Sequence, residues 1–129
     1  SAWDLSPVAI AALAASAGGL DLAAEARDVT AHPPPADRFD VICVGHFLER
    51  ALCRQIADAL RSGGLLFYQT FTRERVDEGG PSTARFRLET NELLSLFPGL
   101  ILRFYREEGR IGDTGRGFRN YAQMVAQRP

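Results

Sequence analysis

Asp37-Arg38-Phe39-Asp40-Val41-Ile42-Cys43-Val44 and, one helical segment later, Leu60-Arg61-Ser62-Gly63-Gly64-Leu65-Leu66-Phe67-Tyr68 decide the fold of this 129-residue chain. Between the two apolar runs, Leu48, Leu52, Ile56 and Leu60 recur every four residues, and Cys53 and Ala57 widen the stripe. That spacing predicts an amphipathic helix lying on a sheet. Gly63-Gly64 is expected to end the helix, and Leu65–Thr70 to form the second strand. Phe39–Val44 and Leu65–Thr70 are apolar at nearly every position instead of alternating, the pattern of parallel strands buried on both faces. Ligands of such sheets gather at the carboxyl ends of the strands. Function is therefore expected just after Val44 and Tyr68.

Working outward, Ser6-Pro7 reads as a helix start, with serine as N-cap and proline at the first helical position. The run Val8–Ala17 follows, and Gly18-Gly19 stops it. A short strand is expected around Ala23–Val29, and His32-Pro33-Pro34-Pro35 then interrupts regular structure. Downstream, Phe71–Leu88 reads as a long charged loop. Thr90 is expected to cap a short helix, Asn91–Phe97, stopped by Pro98-Gly99. Leu100–Glu107 and Asn120–Gln127 read as an antiparallel hairpin, because no crossover helix fits between them. The glycines Gly112, Gly115 and Gly117 of its turn neither follow a strand nor open a helix. A hairpin turn is preferred there to a phosphate cradle.

One domain, residues 1–129, is expected at this length, and 46% apolar residues suffice for a core. The net charge of −1 gives no basis for nucleic acid or an anionic membrane as partner. All 15 basic residues are arginine, read as a compositional bias rather than as an anion site. Cys43 and Cys53 lack metal-type spacing and are expected to be reduced and unpaired, no metal site is expected, and a cytoplasmic location follows from this. No apolar run approaches the roughly 20 residues of a membrane span, and no signal peptide is visible.

A mostly parallel sheet finished by an antiparallel hairpin resembles the Rossmann-like α/β fold of class I S-adenosylmethionine-dependent methyltransferases. Trp3-Asp4-Leu5-Ser6-Pro7 resembles the end of that family's second strand, and Ala26-Arg27-Asp28-Val29 the end of its third. Phe39-Asp40-Val41-Ile42 resembles its fourth strand, and Leu60-Arg61-Ser62-Gly63-Gly64 the turn before its fifth, with Ser62 in place of proline. Phe86-Arg87-Leu88-Glu89-Thr90-Asn91-Glu92-Leu93-Leu94 is most similar to the tellurite-resistance-like small-molecule methyltransferases. The family's first strand and glycine-rich loop have no counterpart here. The chain is accordingly read as a truncated methyltransferase domain, a fragment in preference to a natural remnant, expected either to self-associate through the gap beside the strand Phe39–Val44 or to leave its first thirty residues poorly docked.

The resemblance implies S-adenosylmethionine as cofactor and methyl transfer to a small soluble acceptor, a thiol, oxyanion or hydroxyl. It implies that Asp4, with Leu5, holds the cofactor ribose and that Asp28, with Val29, meets the adenine amine. The competing readings are a helix-start residue for Asp4 and a turn residue for Asp28. Val44, Gly45 and His46 are expected to line the site, Gly45 by allowing close backbone approach. His46 is the candidate base, or else a residue that caps the next helix or shapes the pocket. Tyr68, Thr70 and Arg73 are candidate substrate residues, with strand filling as the alternative for Tyr68. Arg73, Arg75, Arg85 and Arg87 would make the Phe71–Leu88 loop a guanidinium clamp, or a solvated surface loop. A second class of function, a non-catalytic methyltransferase-like domain that binds a partner, is motivated by the absent glycine-rich loop.

Overall fold

In the computed structural model, which describes residues 1–129, the helix begins where Ser6-Pro7 placed it. Helix α1 spans Pro7–Ser16, and the Ser6 hydroxyl accepts from the Ala9 amide at 3.3 Å. Proline sits at the first turn, where its missing amide hydrogen leaves no bond unmade. Gly18 and Gly19 leave the helix at φ +58° and +90°, a region that side chains disfavour. This helix joins two short parallel strands, β1 (Ala2–Asp4) and β2 (Ala24–Ala26), paired from Ala2↔Ala24 to Asp4↔Ala26. The Arg27 guanidinium lies 4.2 Å from the Trp3 ring centre and donates to the His32 carbonyl, closing the turn before the prolines. These elements make one compact unit, Ser1–Pro34; the second is Pro35–Pro129.

In the second unit β3 (Phe39–Gly45) leads through a 3-10 turn, Arg50–Leu52, into α2 (Cys53–Ala59) and then β4 (Leu60–Phe71). A five-residue helix, α3 (Glu92–Leu96), precedes the hairpin of β5 (Ile101–Glu107) and β6 (Tyr121–Gln127). The sheet order is β3-β4-β6-β5, with β3 parallel to β4 and the other neighbours antiparallel. The strand–helix–strand unit and the terminal hairpin are thus both present.

Three details differ from the sequence reading. First, α2 ends at Ala59, before the glycines, because its last carbonyls already have partners. Asp58 O accepts from the Asp37 amide at 3.0 Å and from Arg128 at 2.7 Å, and Ala59 O accepts from the Arg38 amide at 2.9 Å. Gly63-Gly64 lies inside β4, where the register slips from Phe39↔Leu60 to Val41↔Leu65 and Gly63 takes φ +79°. Secondly, Thr90 caps nothing. Asn91 takes the N-cap position at φ +61° with no side-chain cap bond, and the Glu92 carboxylate accepts from the Glu89 amide, before the helix, at 2.7 Å.

Thirdly, only one face of the sheet is covered. Leu66, Tyr68, Thr70, Ala122, Met124 and Ala126 are buried, in a core shared with Leu52, Ile56 and Leu93. On the opposite face Val41 is 51% exposed, Phe67 40%, Ile101 42% and Phe104 48%, and Cys43 is also exposed. The register puts these side chains together: Cys43 pairs with Phe67, Phe67 with Val125, and Val125 with Phe104. An apolar run signals that a strand avoids charge, but the helices that cover its two faces are encoded elsewhere in the chain.

Candidate functional site

At the carboxyl end of β3 the backbone turns sharply. Gly45 has open space beside its Cα, and His46 follows in the left-handed region at φ +55°. The His46 amide donates to the Gln69 carbonyl at 2.9 Å, extending the β3–β4 ladder by one residue. Its ring lies 5.1 Å from Phe71 and stacks 5.6 Å from Tyr121, while Tyr121 meets Phe71 at 4.8 Å and Phe118 at 5.3 Å. His46 Nε2 is 3.3 Å from the side-chain nitrogen of Gln69, whose Oε1 accepts from Gln123 at 2.8 Å. The result is a polar row, His46–Gln69–Gln123, beside an aromatic wall. Tyr121 and Phe118 also line an open cavity of about 360 Å³ with Asp77 and Asn120.

His46 and Gly45 therefore stand at the strand end where function was expected, but their neighbours are Gln69, Phe71, Tyr121 and Gln123. Tyr68 and Thr70 face the other way. The Tyr68 hydroxyl donates to the Phe47 carbonyl at 2.9 Å, its ring packs on Phe97 at 5.5 Å, and burial pushes its pKa up. Thr70 is 1% exposed, and half-buried Val44 pairs with Tyr68. A period of two from His46's ladder partner would have found Gln69 and Phe71; Tyr121 and Gln123 needed the β6 register.

The arginines of the loop after β4 are engaged within the protein. Arg73 pairs with Glu89 at 2.5 Å, Arg75 with Glu78 at 3.0 Å, and the Arg85 guanidinium sits 5.0 Å from the Phe86 ring. Arg87 is buried and donates to the carbonyls of Pro81, Thr72 and Gly79. Arg87 staples the loop from within, while Arg73, Arg75 and Arg85 make their contacts at its surface. Cys53 is buried, and desolvation pushes its thiol up to about 11; both cysteines are free.

In the Ser1–Pro34 unit the parallel register brings Asp4 and Asp28 to one edge, the carboxyl edge, of the two strands. Asp4 Oδ1 accepts from the Ser6 amide at 2.7 Å, so the helix-start role is real, while no protein group bonds Oδ2. Asp28 Oδ1 accepts from the Thr30 amide at 2.9 Å and its hydroxyl at 2.6 Å, and from the Ala31 amide at 3.3 Å. Those bonds, led by the Thr30 hydroxyl, hold Asp28 below the usual carboxylate range. Each carboxylate keeps one oxygen for an outside donor. Leu5 is exposed and Val29 half-buried beside them. Such a carboxylate oxygen accepts from a hydroxyl or an amine. No group of His, Cys, Asp and Glu is arranged to hold a metal ion. No helix is long and apolar enough to cross a membrane.

No family model matches the chain, and no curated protein matches it in sequence. Solved structures do match in fold. The [4+2]-cyclase SpnF superposes with a TM-score of 0.73 at 18% identity, covering 98% of this chain and 64% of its own. TehB from Haemophilus influenzae gives 0.73 at 21% identity, covering 98% and 49%. An S-adenosylmethionine-dependent methyltransferase from Mesorhizobium loti gives 0.70 at 18%, covering 98% and 78%. The chain thus has the Rossmann-like α/β methyltransferase fold, and it spans 64% and 49% of the length of SpnF and TehB.

Proposed function

We propose that the chain carries most of one S-adenosylmethionine-dependent methyltransferase domain of the tellurite-resistance-like kind, acting on a small soluble acceptor in the cytoplasm. The observation that carries this reading is the pair Asp4 and Asp28 at one carboxyl strand edge, each with an unused carboxylate oxygen. Asp4 would accept from the ribose hydroxyls and Asp28 from the adenine amine, with Leu5 and Val29 flanking the base. The cofactor, when bound, supplies a methyl group already activated on a sulfonium. The remaining task of the chain is to hold the acceptor in line, and positioning of that kind is worth up to roughly 7–11 kcal/mol in the best intramolecular cases. His46, fixed against Phe71 and Tyr121, is the group offered to the acceptor; Arg73, Tyr68 and Thr70 have the protein contacts given above and are not assigned to it.

Calorimetric titration with S-adenosylhomocysteine tests the reading without an acceptor. Micromolar binding is expected. Asp4→Asn, which keeps the Ser6 contact but removes the charge, should weaken it about tenfold, or about 1.4 kcal/mol. A folded chain that shows no heat of binding would defeat the proposal. SpnF, a cyclase on the same fold, is the reminder that fold alone does not choose the reaction.

One observation favours the second reading, a partner-binding domain. The bare face holding Val41, Phe67, Ile101 and Phe104 adjoins β3, an edge strand of seven residues. Edges of this kind recruit further strands unless blocked. A second copy of the chain is the proposed occupant. Sedimentation is expected to show a concentration-dependent dimer, and Val41→Lys should weaken it by roughly tenfold by placing charge on the exposed edge. A monomer at all concentrations would sink this reading.

A further inference from the structure

We infer that Gln69, itself oriented by Gln123, is a positioning residue that presents His46 as a neutral Nδ1–H donor, so that the methyl acceptor it serves is one that arrives already anionic, a thiolate or an oxyanion. The inference deepens the methyltransferase reading and rests on it for the nature of the ligand; the state of the ring itself does not.

Gln123, Gln69 and His46 form one row across the sheet. Gln123 pairs with Gln69 across β4 and β6 and donates its amide hydrogen to Gln69 Oε1 at 2.8 Å. With that oxygen engaged, the group Gln69 turns toward His46 is its amide nitrogen, 3.3 Å from Nε2. An amide NH2 only donates, so Nε2 must offer its lone pair, and the hydrogen of the neutral imidazole belongs on Nδ1. The ring cannot easily leave the arrangement. Its backbone is tied to the Gln69 carbonyl at 2.9 Å, and Phe71 and Tyr121 pack against it.

Nδ1 has no partner within the protein, and the residue is exposed. The nitrogen free to meet a ligand is therefore the one that carries hydrogen. A ring in this state stabilises negative charge on an acceptor atom and removes no proton from it. A neutral alcohol would find no base here, whereas a thiolate or oxyanion needs none. His46 is thus reassigned from general base to hydrogen-bond donor, and Gln69 and Gln123 act through it.

The chain contains two histidines, so ring nitrogens can be assigned directly. Long-range proton–nitrogen correlation spectra of uniformly labelled protein should show His46 with a protonated Nδ1. His32, exposed and without a ring hydrogen bond, serves as the reference. Gln69→Glu is near-isosteric and can still accept from Gln123, but turns an acceptor toward the ring; it should move the hydrogen to Nε2. Gln123→Glu should do the same from a residue that does not touch His46, by reversing the Gln69 amide. A wild-type ring protonated on Nε2, or a folded Gln123→Glu protein with an unchanged ring, overturns the positioning role. Titration of the wild-type sample with sulfite should shift the Nδ1 signal saturably, and methanol should not; a signal indifferent to sulfite overturns the anionic-acceptor assignment. None of these spectra needs the cofactor, so a failure of the methyltransferase reading would show separately, in the S-adenosylhomocysteine titration.

Discussion

Arg87→Leu is expected to destabilise the Pro35–Pro129 unit by about 3–5 kcal/mol, because three main-chain carbonyls lose their shared donor. The Arg87 residue is 3% exposed and has no carboxylate partner. It donates instead to three main-chain carbonyls: Pro81 at 2.7 Å, Thr72 at 2.9 Å, and Gly79. Its guanidinium also lies 5.5 Å from the Phe71 ring centre. Desolvation, and then the nearby Arg75, lower its proton affinity, yet a guanidinium stays charged in such surroundings. Leucine fills much of the same volume but leaves three acceptors without a donor, each at about 1–3 kcal/mol if it stays dry. Relief of the buried charge offsets part of that sum.

Arg87→Lys should recover little, because one ammonium cannot reach three carbonyls spread along the chain from Thr72 to Pro81. Urea unfolding followed by circular dichroism measures both variants. A loss below about 1 kcal/mol for Arg87→Leu would show that water or loop movement satisfies the carbonyls instead. Because Phe71 also packs on His46, the loop staple and the site share a wall. Loosening the loop should therefore broaden the His46 ring signals before the sheet itself unfolds.

How much of this was legible in the sequence depends on the range over which each feature is specified. The hairpin was readable because Ile101–Glu107 and Tyr121–Gln127 each carry their own strand pattern around a glycine-rich turn. That Asp4 ends β1 and Asp28 closely follows β2 was readable because strand ends are local. The partners of Arg87 were not: they come together only when the loop has closed, so a residue in a charged run was read as part of a guanidinium clamp or of a solvated surface loop. Gln69 and Gln123 are 54 positions apart and meet only through the β4–β6 register. The apolar stretch Val41–Val44 misled in a different way. Its composition fits a two-sided strand, but the elements that bury Leu66 and Tyr68 lie on one side alone, and Val41 and Phe67 remain at the surface.

Arg50→Ala is expected to cost about 3 kcal/mol, because one side chain satisfies both a carboxylate and the loop that Arg87 also holds. Arg50 Nε meets Glu92 Oε1 at 2.5 Å and Nη2 meets Oε2 at 2.9 Å, a forked pair. Its Nη1 donates to the Arg85 carbonyl at 2.7 Å, and Nη2 also to the Arg87 carbonyl at 3.1 Å. The carboxylate side chain is 18% exposed and the guanidinium 34%, so solvent screens the pair only in part. The Arg50 hydrogen bond, opposed by desolvation and aided by the Glu89 amide, lowers the Glu92 pKa from 4.5. A carboxyl group depressed on folding contributes its full stability above the unfolded value and loses it as pH falls through the lower, folded one. Glu92→Gln should therefore be less stable than wild type by about 1–2 kcal/mol near neutrality, and the gap should narrow as pH falls below the ordinary carboxylate value and close once it passes the lowered folded one. Arg50→Ala should stay well below wild type there, since its two carbonyl contacts do not titrate. A double-mutant cycle should return a coupling of about 1–2 kcal/mol between Arg50 and Glu92 at neutral pH and little at acid pH. A gap that persists unchanged in acid would mean that Glu92 acts through packing and its bond to the Glu89 amide, and not through its charge.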